Sequence, residues 1–524
     1  MQKYACPQTI WVRLDRKTPI ESRGNCQELY HRSQRINPHR ENILRKMLNA
    51  ARRSRQYPSY DFSLTYLLMN YSVTKSAWQR QKFLVFIQVI QIMRRQSKKN
   101  KEGAMENVVA MVLAGGAFSS LRVIAKRRAK AAIPFGGIYR IIDFVLSNLM
   151  KSDIELVGIL AQYRPASLID HVGMGASWDM YGRTRSVKIL PPYQGGDVSD
   201  WYKGTADAVY QNLNFIQDHH PSEVMILAGE NVYSMDYQEV LRFHREKQAD
   251  CTLVCKKLPA PNAQRFGILT LDDDQRVTTY QEKPQTVSGD YFSAGIYVFK
   301  TSFLIEKLVA DASRPTSKHN FADDLIPEML AKGDRFYAYP FDGYWAYCGT
   351  VEEYWQTNMD LLKDPSPVNV WDWSVRTNLD DRNIGGHAPA IFTDSAKVVQ
   401  SLVSPGCTIH GTVEQSILSP GVVVEEGAVV RHSIIFHECV IKRGTILDHV
   451  ISDKDVVIGA GCQIGIGDET VPNEKFPEDF YGGLTVLGKD AIVGDHVYMG
   501  RNVLVSPGVA IPANTVIASG RVVE

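Results

Sequence analysis

The 524-residue chain is poor in cysteine, and its first segment, residues 1–104, holds no apolar run long enough to span a bilayer. Eight cysteines in a chain of this length exclude a disulfide framework. The longest apolar runs in that segment, 64–69 and 83–93, fall short of the roughly 20 residues that a spanning helix needs. No apolar stretch follows Met1, so we expect no signal peptide. These absences favour a cytoplasmic protein with reduced thiols and no membrane partner.

Most of the cysteines lie in apolar, strand-like sequence. Cys251 and Cys255 are four residues apart in one predicted strand, so their side chains point to the same face. They are either a metal-binding pair or two packed thiols. Because no second pair of ligands lies nearby, we favour packed thiols.

The first 104 residues have few acidic residues and little glycine. They hold 21 Lys and Arg against 6 Asp and Glu, whereas the rest of the chain has an excess of 13 negative charges. A basic segment with interleaved Tyr and Trp is typical of a nucleic-acid-binding arm. The alternative, which we favour, is a disordered extension translated from upstream of the true start. Codons for Lys101-Glu102-Gly103 can resemble a bacterial ribosome-binding site just before Met105, so we expect no nucleic-acid partner.

The stretch 108–148 organises the sequence that follows. Its apolar run, 108–113, ends at Ala114-Gly115-Gly116, which predicts a buried strand entering a tight loop. The N–H groups of such a loop can cradle phosphate, and basic residues follow it. This combination indicates an anionic ligand. The alternative is an ordinary strand-to-helix turn with solvated basic residues.

From 107 to about 363, short apolar runs alternate with helix-like stretches. This alternation predicts an α/β domain with a doubly wound, mostly parallel sheet. Ligands of such sheets bind at the carboxyl ends of the strands. Gln162, Glu230 and Glu282 each follow an apolar run, so we expect them at that edge.

The last third of the chain has a different repeat. From about 388, short β-branched runs alternate with Gly, Pro and Asn at near-hexapeptide intervals, which predicts a C-terminal left-handed parallel β-helix. Residues 467–484 break the repeat and should leave the coil. We therefore divide the chain into an extension (1–104), an α/β domain (105–363), a linker (364–387) and a β-helix (388–524).

Residues 107–524 resemble the ADP-glucose pyrophosphorylase (glucose-1-phosphate adenylyltransferase) family. Long matching segments occur in the family's order. They are VLAGG at 112–116, RAK at 128–130, PFGGIYRIIDF at 134–144, LAQY at 160–163, WYKGTADAVYQN at 201–212, ILAGENVYSMDY at 226–237, YQEKP at 280–284, GIYVF at 295–299, HNFADDLIP at 319–327 and GYWAYCGTVEEYW at 343–355. Nucleotidyltransferases of other sugar specificity share only the loop and EKP patterns, and such an enzyme is the weaker alternative.

The resemblance implies a reaction in glycogen synthesis, in which glucose 1-phosphate attacks the α-phosphate of ATP to give ADP-glucose and pyrophosphate. It implies Mg²⁺, a cytoplasmic tetramer, and catalysis by positioning and charge neutralisation. By motif position, Lys130 would face the phosphates and Glu230 would hold the metal. The implied nucleotide-binding residues are Gly115, Gly116, Gln162, Trp201, Tyr202 and Gly204. The implied sugar-phosphate residues are Gly267, Glu282, Lys283 and Ser293. Trp201 could instead be a core residue, and Lys283 a solvated turn residue.

The sequence departs from the family's pattern where the chemistry takes place. Phe118 replaces a loop glycine, and Ser120 replaces the arginine expected at the triphosphate. Glu230 replaces one metal-binding aspartate, and Tyr347 replaces the other by a neutral phenol. Arg122, two positions beyond Ser120, would need a loop rearrangement to compensate. We therefore predict that the chain is a weak or inactive enzyme that regulates a catalytic paralogue. We expect a homo-tetramer, or a hetero-tetramer with that paralogue. The alternative is an active enzyme in which neighbouring residues compensate for the replaced ones.

Three arginines match the family's effector motifs. Arg127, Arg128 and Arg140 carry guanidinium groups suited to phosphate, so we expect anionic sugar-phosphate effectors. The alternative is a solvated basic face.

Overall fold

The structure, a computed structural model, describes residues 107–116, 120–193, 201–258, 262–368 and 370–524. The predictions for the basic extension, 1–104, and for Phe118 lie outside these ranges. The described residues belong to one compact unit. No helix in the described ranges is both long and apolar enough to cross a membrane.

The core of the α/β part is a nine-stranded mixed sheet in the order β10-β9-β11-β6-β1-β4-β5, with β8 paired to β11 and β12 paired to β8. The strands of the α/β part, including those of two small two-stranded sheets, are β1 (Val108–Leu113), β2 (Pro134–Phe135), β3 (Tyr139–Arg140), β4 (Leu156–Leu160), β5 (Ser186–Leu190), β6 (Glu223–Ala228), β7 (Asn231–Tyr233), β8 (Cys251–Lys257), β9 (Gly267–Leu271), β10 (Val277–Glu282), β11 (Tyr291–Lys300), β12 (Phe336–Pro340) and β13 (Trp345–Tyr347). Strands β6, β1, β4 and β5 run parallel, whereas β11 is antiparallel to both β6 and β8. The predicted α/β class is confirmed, and the antiparallel strands make the sheet mixed.

Helices pack on both faces of this sheet, and its apolar runs form two buried clusters. The helices are α1 (Arg122–Ala125), α2 (Ile142–Lys151), α3 (Ala166–Val172), α4 (Thr205–Tyr210), α5 (Leu213–His219), α6 (Tyr237–Glu246), α7 (Thr301–Ala312), α8 (Ile326–Lys332) and α9 (Val351–Asp360). Helix α9 begins with a capping box, in which the side chains of Thr350 and Glu353 each accept the other's backbone N–H. The cap fixes the start of α9, at Val351, four residues after Tyr347.

Both cysteines of the predicted pair lie in β8 and are buried in the same apolar cluster. This arrangement agrees with the packed-thiol interpretation. The other described cysteines, Cys348, Cys407, Cys439 and Cys462, are also buried free thiols.

The C-terminal part is a left-handed parallel β-helix whose three sheets each contain seven short strands. The strands are β14 (Ile391–Phe392), β15 (Lys397–Val399), β16 (Leu402–Val403), β17 (Thr408–Ile409), β18 (Thr412–Glu414), β19 (Ile417–Leu418), β20 (Val423–Val424), β21 (Val429–Arg431), β22 (Ile434–Ile435), β23 (Val440–Ile441), β24 (Ile446–Asp448), β25 (Val450–Ser452), β26 (Val457–Ile458), β27 (Gln463–Ile464), β28 (Thr485–Leu487), β29 (Ile492–Val493), β30 (Tyr498–Met499), β31 (Leu504–Val505), β32 (Ala510–Ile511), β33 (Val516–Ile517) and β34 (Val522–Val523). Each strand pairs in register with the strand three positions later, so the inward apolar residues stack into one core. The predicted β-helix is confirmed.

The predicted excursion is confirmed, because no strand lies between β27 and β28. Its aromatic residue Phe480 is fully buried in a cluster that includes Ile124 of α1, Tyr354 of α9 and Phe436 of the β-helix. The α/β part and the β-helix therefore share an apolar core. The predicted linker also packs inward, since Asp381 is buried against Arg140.

Candidate active site

Three adjacent parallel strands bring the predicted residues to one edge of the sheet. Leu113, at the end of β1, is paired with Leu160 of β4 on one side and Ala228 of β6 on the other. Gly115, Gln162 and Glu230 each lie two residues beyond these strand ends. The sequence prediction that site residues follow the apolar runs therefore agrees with the register of the sheet.

The two glycines that follow β1 allow the loop to lie close to Glu230 and Gln162. A Cβ atom added to Gly116 would lie 2.9 Å from Oε1 of Glu230, and one added to Gly115 would lie 3.4 Å from the backbone N of Gln162. Larger residues at these two positions would push the loop away from both neighbours.

Glu230 faces one cation and one phenol. Its Oε2 atom lies 3.4 Å from Nζ of Lys130, and both side chains are largely buried. On the other side, β13 pairs antiparallel with β7, which places Tyr347 opposite Asn231. Burial, together with the negative charge of Glu230, raises the pKa of Tyr347 well above its usual value. The phenol is therefore neutral at physiological pH and adds no negative charge beside Glu230.

Ser120 ends the glycine loop, and the arginine nearest to it points elsewhere. Nη2 of Arg122 lies 2.5 Å from Oδ2 of Asp479, and its guanidinium group covers the ring of Phe476 at 3.8 Å. Both partners belong to the excursion of the β-helix. The guanidinium group of Arg122 is thus already engaged by the excursion.

Two of the residues predicted to bind the nucleotide, Gln162 and Tyr202, belong to one hydrogen-bonded group. The backbone N–H of Tyr202 donates to Oε1 of Gln162 at 2.5 Å. The hydroxyl of Tyr202 donates to the carbonyl of Leu190 and accepts from Nδ2 of Asn212, both at 2.9 Å. Burial raises the pKa of Tyr202 to about 12. Tyr202 is therefore a fixed anchor for the loop, whereas its neighbour Trp201 is 68% exposed, which excludes it from the core.

Gly204 is required by the packing of this same loop. A Cβ atom there would lie 2.3 Å from the carbonyl oxygen of His319 and 2.6 Å from that of Lys318. The His319 carbonyl also accepts the backbone N–H groups of Ala206 and Asp207 at the start of α4. The loop, α4 and residues 318–320 form one support.

The residues predicted for the sugar phosphate lie along β9, β10 and β11. Gly267 is paired with Glu282, and the hydroxyl of Tyr280 donates to Oε2 of Glu282 at 2.8 Å. Ser293 is buried in β11, and the adjacent Ala294 carbonyl accepts from Nδ2 of Asn231. This contact connects the sugar-side strands to the Glu230 turn. Lys283 is more exposed than these residues, at 65% for its side chain, and its Nζ atom lies 3.3 Å from Oε1 of Glu282.

Comparison with known proteins agrees with this geometry. A nucleotidyl transferase family model matches residues 109–364, and a GlmU-like C-terminal hexapeptide model matches 389–479. The glucose-1-phosphate adenylyltransferase of Fervidobacterium nodosum is 40% identical over 419 residues, which is 79% of this chain and 99% of the relative. Those of Acetivibrio thermocellus and Thermotoga maritima are 39% and 40% identical over 77% of this chain and 93% and 95% of their own lengths. This chain belongs to the glucose-1-phosphate adenylyltransferase family.

The arginines predicted for effectors have carboxylate partners in the structure. Nη2 of Arg128 contacts both oxygens of Asp453 at 2.8 and 3.1 Å, deep inside the protein. The buried Arg140 donates to Asp381 at 2.8 Å and to the carbonyl of Ala132 at 2.7 Å. Arg127 is 49% exposed and lies 3.5 Å from Asp490. The three arginines are consequently not one solvated basic face.

Sequence reasoning missed two further basic groups beside Arg128 and Arg140. Burial and the positive charges of Arg140 and Arg128 lower the pKa of Lys454 to about 7. Burial also lowers the pKa of His437, and its Nδ1 atom has no hydrogen-bond partner in the structure. Both residues come from the β-helix, more than 290 positions away, so no local pattern in the sequence could reveal them.

Two residues around Glu230 were also missed. Asn231 is buried with an Oδ1 atom that has no partner. Arg265 pairs with Glu353 at 2.8 Å and lies over the ring of Tyr347 at 5.6 Å. Asn231 could have been found because it directly follows Glu230, whereas Arg265 lies in a loop without a motif.

Proposed function

We propose that this chain is a subunit of a glucose-1-phosphate adenylyltransferase whose own active site is weak or inactive. In the reaction of such an enzyme, a phosphate oxygen of glucose 1-phosphate bonds to the α-phosphorus of ATP. The bond from that phosphorus to the leaving oxygen breaks, releasing pyrophosphate and ADP-glucose. The chain would then regulate or support a catalytic paralogue.

One observation carries the proposal: Glu230 lies beside the neutral Tyr347, which pairs with the adjacent Asn231 across β7 and β13. The negative charge of Glu230 is already balanced by Lys130. Arg122, the cation nearest to Ser120 in sequence, is bound to Asp479. Removal of one contact to the transition state commonly costs about 10²–10³-fold in rate, and here two contacts are replaced.

The donor set fits a protein-held Mg²⁺ poorly. Mg²⁺ prefers carboxylate oxygens in strict octahedral geometry, and a neutral phenol is a weak ligand for it. Glu230 would have to release Lys130 to bind the ion, and Tyr347 would supply no charge. We therefore assign no catalytic step to a metal held by this chain.

The binding functions are better supported. The Gln162–Tyr202 contact fixes the loop that carries Trp201, and Glu282 is held by Tyr280. ATP and glucose 1-phosphate are thus the proposed ligands. An intact binding site without the charges that stabilise the transition state is what a regulatory subunit requires.

The test is to restore the missing charges. The double variant Ser120→Arg/Tyr347→Asp should form ADP-glucose from ATP, glucose 1-phosphate and Mg²⁺ at least about 100-fold faster than the unaltered chain. The matched control, Ser395→Arg/Tyr181→Asp, introduces the same residues at exposed positions outside the site and should not gain activity.

Two further measurements complete the test. Mixing the unaltered chain with an active family member should change the partner's dependence on a sugar phosphate. Robust turnover by the pure, unaltered chain would contradict the proposal and favour the alternative, a catalytically competent enzyme. Turnover with other nucleotides or sugar phosphates would instead indicate a different sugar-1-phosphate nucleotidyltransferase.

We also propose that anionic sugar-phosphate effectors act on the buried basic cluster of Arg128, Arg140, His437 and Lys454, with Arg127 at its exposed side. Nη1 of Arg128 and Nδ1 of His437 are buried without partners, and an anion could satisfy both. Protonation of Lys454 adds one positive charge near neutral pH. Binding requires the anion to compete with Asp381 and Asp453, so it would alter contacts between the two parts of the chain.

A tetramer, as a homo-oligomer or with a catalytic paralogue, completes the proposal. The first coil of the β-helix exposes Ile391, Phe392 and Val399, and its outer strand edges have no partner among the described residues. Apolar surface and open edges of this kind favour contacts between subunits.

A further inference from the structure

One corner of the β-helix carries four stacked polar residues in successive coils. Gln400, Gln415, His432 and His449 each directly follow the last residue of β15, β18, β21 and β24. All four have left-handed backbone angles, with φ between 44° and 57°. Nε2 of Gln415 donates to Oε1 of Gln400 at 3.2 Å. The same corner therefore changes from an amide pair to an imidazole pair along the stack.

The two histidines converge on one carboxylate oxygen. Oδ1 of Asp448 lies 3.0 Å from Nδ1 of His432 and 2.8 Å from Nδ1 of His449. The two rings have centroids 4.7 Å apart. The three donor atoms all lie within 4.8 Å of one another, and the side chains remain 18–38% exposed. Solvent ions can reach this cluster.

The surroundings hold the three residues in place. Trp355 of α9 stacks on His449 at 5.4 Å, and its Nε1–H donates to the backbone carbonyl of His432 at 2.8 Å. The other oxygen of Asp448, Oδ2, lies 3.8 Å from Arg431 and 3.9 Å from Arg501. The two guanidinium groups orient the carboxylate and leave Oδ1 facing the imidazoles.

We propose that His432, Asp448 and His449 form a binding site for one divalent transition-metal ion of the Zn²⁺ class. Two imidazole nitrogens and one carboxylate oxygen are a donor set that suits zinc, with water in the fourth position of a tetrahedron. Each ring would bind through the Nδ1 lone pair and carry its proton on Nε2. Donor atoms around a tetrahedral zinc ion are about 3.3 Å apart, so the two distances from Asp448 to the imidazole nitrogens need only a small expansion.

Bound metal would connect two coils of the β-helix beside α9. Trp355 contacts both histidines, and α9 begins four residues beyond Tyr347. The ion would therefore stabilise the contact between the β-helix and the helix that follows the candidate active site. The site lies apart from the substrate-binding residues and does not depend on the proposed function.

The test measures Zn²⁺ binding to the full chain by calorimetry after removal of metals with a chelator. We expect one equivalent to bind, and the variants His432→Gln and His449→Gln to weaken it by about tenfold or more. Glutamine is suitable because it already occupies this corner in two coils. The control, His410→Gln, changes a β-helix histidine outside the cluster and should bind like the unaltered chain.

A spectroscopic measurement locates the ion. Cu²⁺ should quench part of the tryptophan fluorescence of the unaltered chain, and that part should be missing in Trp355→Phe, since Trp355 is stacked on His449. Failure of the chain to bind one equivalent of Zn²⁺, or unchanged affinity in both glutamine variants, would overturn the proposal. The cluster would then be only a set of hydrogen bonds.

Discussion

At the scale of single residues, the protein keeps several charged groups in its interior by pairing them. His171 lies between Asp143 at 2.6 Å and Asp381 at 3.1 Å, and Asp381 also accepts from Arg140. Burial works against the charge of His171, but the two aspartates outweigh it and raise its pKa. Lys454 behaves oppositely, since burial and two neighbouring arginines lower its pKa. The same interior therefore stabilises the protonated form of His171 and destabilises that of Lys454.

Lys454 predicts a pH dependence of stability. Its pKa is about 7 when folded and about 10.5 when unfolded, so the unfolded chain binds more protons between these values. The contribution of Lys454 to the free energy of unfolding should rise with pH across this window, by at most about 1.4 kcal/mol per pH unit. The variant Lys454→Met should remove that slope, as measured by urea denaturation from pH 7 to 10. A slope in Lys454→Met equal to that of the control Lys442→Met would contradict this assignment.

The site residues divide into those that the sequence could predict and those that it could not. Gln162 and Glu230 were predictable because parallel strands align their ends, so a residue that follows a strand lies at a known edge. Asp453 contacts Arg128, and the charge of Arg128 acts on Lys454, across more than 320 residues; only the packed structure brings them together. The partner of Arg122, Asp479, lies 357 residues further along the chain and was not foreseen.

At the scale of elements, hydrogen bonds hold the loop 201–204 and helix α4 against residues 318–320. The backbone N–H of Thr205 donates to Oδ1 of Asn320 at 3.0 Å, and the His319 carbonyl accepts from the first turn of α4. These partners satisfy N–H groups that have no acceptor within a helix. The strand types were predictable from apolar runs, whereas the antiparallel direction of β11 was not, because periodicity carries no information on strand direction.

Substitution of Gly204 tests the packing of this loop against residues 318–320. The variant Gly204→Ala places a methyl group 2.3 Å from a backbone oxygen, so the loop must move away from residues 318–320. We expect a loss of about 1–3 kcal/mol in the free energy of unfolding and weaker ATP binding in calorimetry. In the control, Gly385→Ala, the nearest atom is 3.3 Å away. Normal ATP affinity and stability in Gly204→Ala would show that the loop is not fixed as described.

At the scale of the whole chain, the α/β part and the β-helix are joined by apolar packing and by a buried ion pair. The shared cluster contains Phe135 and Tyr354 from one part and Phe436 and Ile451 from the other. The buried ion pair is Arg128–Asp453. Both folds were predictable from their separate sequence periods, but their common core was not, since neither period specifies its partner.

The buried pair should stabilise this arrangement much more than an exposed one. The variant Asp453→Ala leaves a guanidinium group buried without a carboxylate and should lower the free energy of unfolding by about 3–5 kcal/mol. The control Asp490→Ala removes the half-exposed partner of Arg127 and should cost at most about 1 kcal/mol. Chemical denaturation of both variants measures the difference. Equal losses would mean that Arg128 finds another partner.

The insertion between β27 and β28 leaves the coils on either side in register, because β25 pairs with β28 and β27 pairs with β30 as though nothing intervened. The pairing of the coils therefore does not depend on a continuous run of repeats through this segment. Yet this segment supplies Phe476 and Asp479, which contact the side chain of Arg122, two residues beyond the end of the glycine loop. A segment of the β-helix part therefore positions a side chain that follows the glycine loop of the α/β part.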